Sequence, residues 1–537
     1  MPVTGSPQVV WFKKDLRVSD HRPLAEASAR GPVICLFILE DEWLESSHFE
    51  KRHLRFALDC LIELDCDLRK LGGSLTILRG NCLAALNYLR TQMPFTHLWS
   101  HQETGDRQTY ERDLQVRDWC NEQGVQWKEF RQNGVIRKLK SRDGWNSRWE
   151  EFMARQPAPI PSKLHSAPSI AGITFKELAD LAGDRHTHIQ RGGSTHANNI
   201  LDSFLTQRGQ NYSKDLSSPV RAFDGCSRLS PHISFGTVSM REVVQATRSR
   251  VRTLRQHDPT GKESSEIRQW LRSLKSFDGR LHWHCHFIQK LEDEPSMEFE
   301  NLSRVFDGMR EPHWNQEYFE KWCAGLTGYP MIDACMRCLR QTGWLNFRMR
   351  AMVMSFASYH LWLHWREPAL HLARMFTDFE PGIHFSQAQM QSGTTGINTI
   401  RIYSPTKQGH DQDPDGLFIR RWVPELADLP SPLIHEPHKI TPLDRAQFPG
   451  LSRHDYPRPL VDHKSAWLQA RRKLAQFRNT PEARQAADAI QKKHGSRKSG
   501  IRQMRALNQK PPSRHHSKDD GQLLLPFQES QSPGTNI

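Results

Sequence analysis

The apolar positions change period part-way along the chain. Residues 8–12 (QVVWF) and 32–39 (PVICLFIL) are short apolar runs bounded by polar turns, and 24–29 lies between them with helical spacing, which predicts β-α-β. SLTILRG at 74–80 and THLWSHQ at 96–102 repeat the strand pattern, separated by helical periodicity at 53–71 and 82–91. This alternation predicts a doubly wound, parallel α/β domain over 1–131. It contains neither GxGxxG nor GxxxxGKS, the glycine loops that cradle phosphates in nucleotide enzymes. From 132 to 190, Arg/Lys clusters, Trp145, Trp149 and a proline-rich stretch at 157–168 read as an interdomain connection. After Gly192 the strand pattern stops. Helical spacing rich in Trp and Met then predicts a mostly α domain over 191–430. Proline-punctuated loops follow at 431–480 with one amphipathic helix near 466–477, and 481–537 reads as a basic disordered tail.

Length agrees with two cores, since 537 residues exceed the roughly 300 at which a single core stops growing. A mean hydropathy of −0.68 requires a long polar segment, and charge locates it. Of the formal +14, +13 falls between Lys464 and Lys518, where fifteen Lys or Arg face only Glu482 and Asp488. The rest of the chain is nearly neutral, so a nucleic-acid groove on the folded body must come from how its charges are arranged. The tail either adds salt-sensitive, sequence-independent attraction to phosphates or is a solvated segment that binds nothing specific. Ten cysteines without disulfide-like spacing, and an N-terminus without a charged and then apolar leader pattern, point to a reducing cytoplasm. No apolar run approaches the roughly 20 residues of a membrane span.

The densest chemical pattern is GLTGYPMIDACMRCLRQTGWLNFRMR at 325–350. Two glycine turns bracket a helix carrying Asp333, Met336, Arg337 and Leu339, and a second helix starts near Trp344 with Arg348 and Arg350 two apart. Arginines on apolar helices need an anionic partner, because the guanidinium stays charged and unpaired burial is costly. That partner is a carboxylate such as Asp378, or a bound phosphate or flavin. These residues alone leave both open.

The pattern G-x-T-G-x-P-x-x-D-A-x-M-R-x-L-x-x-T-G-W resembles the signature of the FAD-binding domain of photolyases and cryptochromes. Further segments resemble that family in the same order: WFKKDLRVSD at 11–20 its first strand and turn, SRLSP at 227–231 its FAD phosphate loop, and RIYSPTKQG at 401–409 with FIRRWVPEL at 418–426 its C-terminal elements. The likeness runs from about residue 8 to 430 in one register. It implies a U-shaped FAD between helices, with Tyr212, Ser227, Arg228, Leu229 and Ser230 around the phosphates and Arg350, Asp378 and Glu380 near the isoalloxazine ring. Serine hydroxyls and an arginine fork suit a diphosphate, and a fixed cation suits a ring that receives an electron. Cys226 stands where the family usually has threonine.

In the photolyases of this family, light excites the reduced flavin, which lends an electron to a dimeric pyrimidine lesion flipped out of the DNA. By resemblance Trp283 is one aromatic wall of the lesion cavity, and Arg348 and Gln408 meet the DNA. Four positions depart from the pattern. Arg280 replaces the glutamate of cyclobutane-dimer photolyases, and Met390 replaces the second aromatic wall. His384 stands near the asparagine that faces flavin N5, where a histidine can hydrogen-bond or protonate that atom. Ala388 replaces the flavin-proximal tryptophan of the photoreduction chain. Trp365 matches the middle member of that chain and Trp314 lies near the outer one. Trp362, one turn from Trp365, is either an alternative electron route or plain helix packing.

Cys335 and Cys338 form a CxxC, but no cysteine follows 338 to complete the four-thiolate set of iron–sulfur relatives, so no metal is expected. His282, His284 and His286 would share a face only in a strand and diverge on a helix. The family's N-terminal domain can hold a second, light-gathering chromophore, a folate or a deazaflavin. QLLLPF, from Gln522 to Phe527, resembles the short peptide with which bacterial repair proteins dock on the sliding clamp. The expected function is a light-driven repair photolyase acting on UV-lesioned DNA, favoured by Trp283, Arg348, Gln408 and the basic tail. Arg280, Met390, Ala388 and His384 favour either the alternative, a cryptochrome-like blue-light receptor, or a repair enzyme with different substrate demands. A third reading is a flavoprotein that binds DNA without repairing it.

Overall fold

The computed structural model describes residues 6–184, 188–256, 264–447 and 456–495. The clamp-like peptide from Gln522 to Phe527 lies outside them. Strands β1 (Gln8–Phe12), β2 (Val33–Leu39), β3 (Leu75–Arg79), β4 (His97–His101) and β5 (Gln126–Phe130) form one parallel sheet in the order β3-β2-β1-β4-β5. Val10 of β1 stands level with Cys35 of β2 and Trp99 of β4. β1 and β2 are buried throughout because both faces of the sheet are covered, which is why they read as unbroken apolar runs. The helices Arg22–Ser28 and Lys51–Lys70 cover one face, Cys82–Gln92 and Arg107–Gln123 the other.

Two elements escape the apolar pattern. The helix Arg107–Gln123 buries a narrow stripe that includes Arg112 and Asp113 beside Val116, Trp119 and Cys120, and β5 is an edge strand with no fully buried residue. The stretch 132–190 is folded into both cores. Trp145, Trp149 and Phe152 of the helix Trp145–Ala154 pack in the helical domain, while Leu164, Leu178 and Ala182 pack on the sheet domain.

Among the described residues no strand follows β5, and the second domain is built from helices. Its centre is the helix Pro330–Thr342, buried almost all round. Asp333 accepts hydrogen bonds from Thr327 N (2.8 Å), Thr327 Oγ1 (2.6 Å), Gly328 N (3.1 Å) and the Tyr456 hydroxyl (2.5 Å), holding the turn before the helix. Gly328 has φ +76°, and a Cβ there would meet the backbone of Arg458 and Pro459 at 2.4–2.5 Å. Only glycine fits, because the C-terminal loop crosses directly over the turn. Arg337 donates to Gly325 O (3.0 Å) and pairs with Glu425 (2.7 Å). Asp333 and Arg337 of the signature therefore hold the fold.

The chain continues through the helices His463–Arg478 and Pro481–His494. The second corrects the expectation of disorder from 481. Thr480 caps Ala483 N–H, Pro481 opens the helix, and Ala483 and Ala487 are buried one turn apart. Among the described residues no helix is long and apolar enough to cross a membrane, and all ten cysteines are unpaired.

Candidate functional site

The helices Ser265–Asp293, Phe347–Ser355 and Pro381–Ser392, with the loop before Ser230, line an open cleft of about 300 Å³, at the lower end of the roughly 300–1,000 Å³ of common small-ligand pockets. Helical spacing selects the lining. Arg280, Trp283, His284 and Phe287 come from one face of the first helix, and Ile383, His384, Gln387, Ala388 and Gln391 from one face of the third. Tyr212, Cys226, Ser227, Arg228, Ser230, Arg350, Asp378 and Glu380 also line the cleft.

Four sequence-predicted residues lie elsewhere. Leu229 belongs to the hydrophobic core. Met390 is off the face that carries Gln387 and Gln391, so it builds no wall of the cleft. Arg348 and Gln408 are buried, at 6% and 8% exposed, and touch each other, with Arg348 Nη1 donating to Gln408 Oε1 at 3.3 Å.

Arg228 adopts a left-handed backbone, φ +60°, rare for a side chain other than glycine, asparagine or aspartate. Its guanidinium stacks on Trp344 at 4.0 Å and touches Gln190 Oε1 at 3.4 Å, while buried Nη1 has no hydrogen-bond partner among the described residues. Burial lowers its pKa to about 10. A largely enclosed guanidinium with no ion pair among the described residues, and with Asp378 acting on it only at a distance, leaves an N–H group able to bind an anion such as a diphosphate. Gln190 in turn donates to Arg228 O at 2.9 Å, fixing the strained residue. Arg350 sits differently. It is forked onto Asp378 at 3.0 and 2.7 Å and lies 3.9 Å from the Phe376 ring, so its charge is already held in place.

His384 Nε2 lies 2.7 Å from Ala369 O, so that nitrogen carries the proton and Nδ1 keeps a lone pair. Burial lowers its pKa to about 4, which makes the ring a neutral hydrogen-bond acceptor. Burial pushes Glu380 up to about 7. Phe287 stands one turn beyond Trp283 with their rings 5.6 Å apart, and the Arg280 guanidinium lies 5.3 Å from the Phe347 ring. Phe287 was legible as the i+4 neighbour of Trp283; Phe347 and Gln190 carried no such signal.

The tryptophans are separated. Trp365 is fully buried, donates to Asn301 Oδ1 at 2.8 Å and meets Phe385 at 6.4 Å. Phe385 lies beside His384 at 5.6 Å. Trp314 is 36% exposed and packs at a tilt against Phe319, and Trp362 lies between Arg310 and Lys473.

The sheet domain reaches the cleft through residues the sequence did not single out. Arg52 donates to Leu339 O, Arg340 O and Met375 O at 3.3, 3.0 and 3.0 Å, and His53 Nε2 to Phe376 O at 2.9 Å. These bonds pin the segment that bears Phe376, Asp378 and Glu380. A second, small cavity, about 80 Å³, opens where the strand order reverses beyond the ends of β1 and β4. Lys14, Trp43, His48, Glu103 and Phe379 line it, and Phe379 also walls the main cleft. Nearby, Asp15 accepts from His21 Nε2 (2.9 Å) and His101 Nδ1 (2.8 Å). These three are grouped as metal ligands would be, but Leu24 N–H occupies the other nitrogen of His21.

Residues 8–141 match the family model described as DNA photolyase, and 276–476 match the FAD binding domain of DNA photolyase. A deoxyribodipyrimidine photo-lyase of Vibrio cholerae is 30% identical, over 85% of this chain and 97% of that protein. The chain belongs to the photolyase/cryptochrome family. A cryptochrome DASH of Gloeobacter violaceus is 27% identical over 84% of this chain and 93% of its own. A bacterial class III photolyase from Agrobacterium tumefaciens superposes with a TM-score of 0.76 at 25% identity, covering 89% of this chain and 99% of that one. The parallel sheet domain and the helical FAD-binding domain are thus those of photolyases and cryptochromes.

Proposed function

We propose that the protein is a light-driven DNA repair photolyase acting on pyrimidine dimers. The observation that carries this reading is one cleft joining two sets of groups: an uncompensated cation and a fixed Arg350–Asp378 pair suited to FAD, and an aromatic wall of Trp283, Phe287 and Phe347 with Arg280 among them. Bound FAD, once reduced, supplies under blue or near-UV light the electron that opens the dimer. Arg228 and the serines Ser227 and Ser230 would hold its diphosphate, and Tyr212 packs beside them. Arg350, kept in place by Asp378, sets a positive potential where electron density gathers. His384 offers a lone pair from Nδ1 and so favours a partner atom that carries a proton. Trp283 and Phe287 give a flipped-out base a surface to stack on, and Arg280 supplies a cation where other dimer-splitting relatives use an acid. Arg348 and Gln408, buried against each other, give this reading less support than Trp283 and Arg280.

Ala388 and Arg280 favour the second reading, a cryptochrome-like photoreceptor, since neither the proximal tryptophan nor the lesion-facing acid is present. The cleft beyond β1 and β4 is where a second chromophore would sit, and the ten unpaired cysteines suit a reducing cytoplasm. The deciding experiment illuminates the reduced, FAD-loaded protein with single- and double-stranded oligonucleotides carrying defined cyclobutane or (6-4) lesions. Restored bases on at least one substrate are expected. Repair of none leaves the photoreceptor.

A further inference from the structure

Two titratable residues of the cleft also border a second opening. A crevice of about 30 Å³ runs between the domains, lined by Lys14, Glu103, Thr104, Gln132, Asn133 and Ser234 among others, and Glu380 and His284 line both it and the main cleft. At roughly 10–15 Å³ for one water, the crevice has room for about two waters and for no organic ligand. Ser234 Oγ donates to Phe379 O at 2.9 Å, which ties the crevice wall to the segment bearing Glu380. Glu380 makes no ion pair among the described residues, and its buried Oε1, like His284 Nδ1, has no hydrogen-bond partner among them. Lys14, Glu103 and Asp106 face the carboxyl from the sheet domain, and His284 and Cys285 from the helix Ser265–Asp293. Both neighbouring carboxylates are already held, Glu103 by Arg112 at 2.7 Å and Asp106 by His48 at 3.2 Å.

We propose that Glu380 is the proton donor of the cleft, handing a proton to the cofactor ring as the ring is reduced and taking another from water in the interdomain crevice. The proposal rests on the reading of the cleft as a flavin site. With a dithiol as reductant the balance closes: two thiols release two electrons and two protons and form a disulfide, the ring takes both electrons and one proton, and the other proton goes to water. The Glu380 O–H bond breaks as an N–H bond forms on the ring, and the carboxylate left behind is reprotonated through the crevice. His384 has no proton to give there, because its Nε2–H is held by Ala369 O and Nδ1 carries a lone pair. Burial, opposed by Lys14 and reinforced by Glu103 and Asp106, raises the Glu380 carboxyl to about 7. Burial also lowers His284 and His384 to about 4 and raises Cys226 to about 12, so Glu380 alone of these four changes charge near neutral pH.

Two measurements test it. In the cofactor-free protein, infrared difference spectra between about pH 6 and about pH 8 should show a protonated-carboxyl band that is lost as pH rises and is missing from Glu380→Gln. Glu298, also raised to about 7, lines neither opening and contributes equally to both proteins. In the FAD-loaded protein, light-driven reduction by dithiothreitol is followed through the loss of oxidised-flavin absorption. Glu380→Gln is expected to be reduced roughly tenfold to a hundredfold more slowly than the wild type at about pH 6. The ratio of the two rates, which cancels the reductant's own pH dependence, should shrink as pH rises through 7. Thr104→Leu, which narrows the crevice, should slow reduction while leaving the infrared band in place. Absence of the band, a ratio that does not change with pH, or equal rates in wild type and Glu380→Gln each overturn the donor, and an unslowed Thr104→Leu overturns the crevice route. A wild-type protein that takes up no FAD overturns the flavin reading itself, and the infrared band, which needs no cofactor, keeps that failure apart from failure of the donor.

Discussion

Arg228 makes no ion pair among the described residues, Asp378 acting on it only at a distance: Trp344 stacks on it and Gln190 touches it, but Nη1 has no hydrogen-bond partner among them. Replacing an uncompensated buried ion by an apolar side chain of similar size is often neutral or stabilising. Arg228→Met is therefore expected to change the stability of the cofactor-free protein by less than about 1 kcal/mol while weakening FAD binding at least roughly tenfold, measured by urea unfolding and flavin fluorescence titration. Loss of apo-protein stability with unchanged FAD affinity would remove it from the diphosphate site. Glu380 makes a prediction of another kind. Its folded carboxyl titrates at about 7 against an ordinary 4.5, so the folded protein keeps a proton that the unfolded chain releases. The stability it contributes is fully present below pH 4.5 and is lost as pH rises through 7. Glu380→Gln should match the wild-type apo-protein near pH 4.5 and exceed it in urea resistance at pH 8. A constant difference across that range would refute the assignment.

At the scale of elements, the first turn of the helix Lys51–Lys70 works as a clamp. Glu50 and His53 form its capping box, and Arg52 and His53 together give four hydrogen bonds to carbonyls at the ends of helical-domain elements. Arg52→Met removes the side-chain donor from the partly buried Arg340 O and Met375 O and from Leu339 O, which keeps the Gly343 N–H, and should cost about 1–3 kcal/mol in urea unfolding and weaken FAD binding through the displaced Asp378 segment. Unchanged values for both would show that the clamp positions nothing. The helix Pro330–Thr342 was legible from its glycine turns and apolar periodicity. That its Asp333 and Arg337 serve the turn and Glu425 was not, because Tyr456 and Glu425 come from distant segments. The face of the helix Pro381–Ser392 shows the same division. Its period was readable, but which side met the cleft was not, so Met390 was assigned to a wall that Gln387, Ala388 and Gln391 build.

Over the whole molecule, the cleft requires both domains, because the segment bearing Asp378 is tied to the sheet domain and Phe379 walls two cavities at once. A ligand binding only the folded state at 100 times its Kd adds about 2.7 kcal/mol. FAD at that excess is therefore expected to raise the melting temperature of the apo-protein by roughly 2–5 °C, given an unfolding entropy of about 2.1 cal/mol/K per residue, and to do so far less in Arg228→Met. Scanning calorimetry checks both. An equal rise in the two proteins would place the cofactor elsewhere.

The sequence by itself determined the two-domain order, the parallel sheet and the family, because strands covered on both faces and glycine-bracketed helices leave local, periodic marks. It also named every Arg, Asp and Glu that lines the main cleft. Only the tertiary structure decided that Arg228 stands uncompensated, that Arg348 faces Gln408 and not the surface, and that Arg52 holds the edge of the cleft from the other domain. Those outcomes depend on contacts between residues about 40 to 320 positions apart. Periodicity marks the buried face of an element but not the partner it packs against.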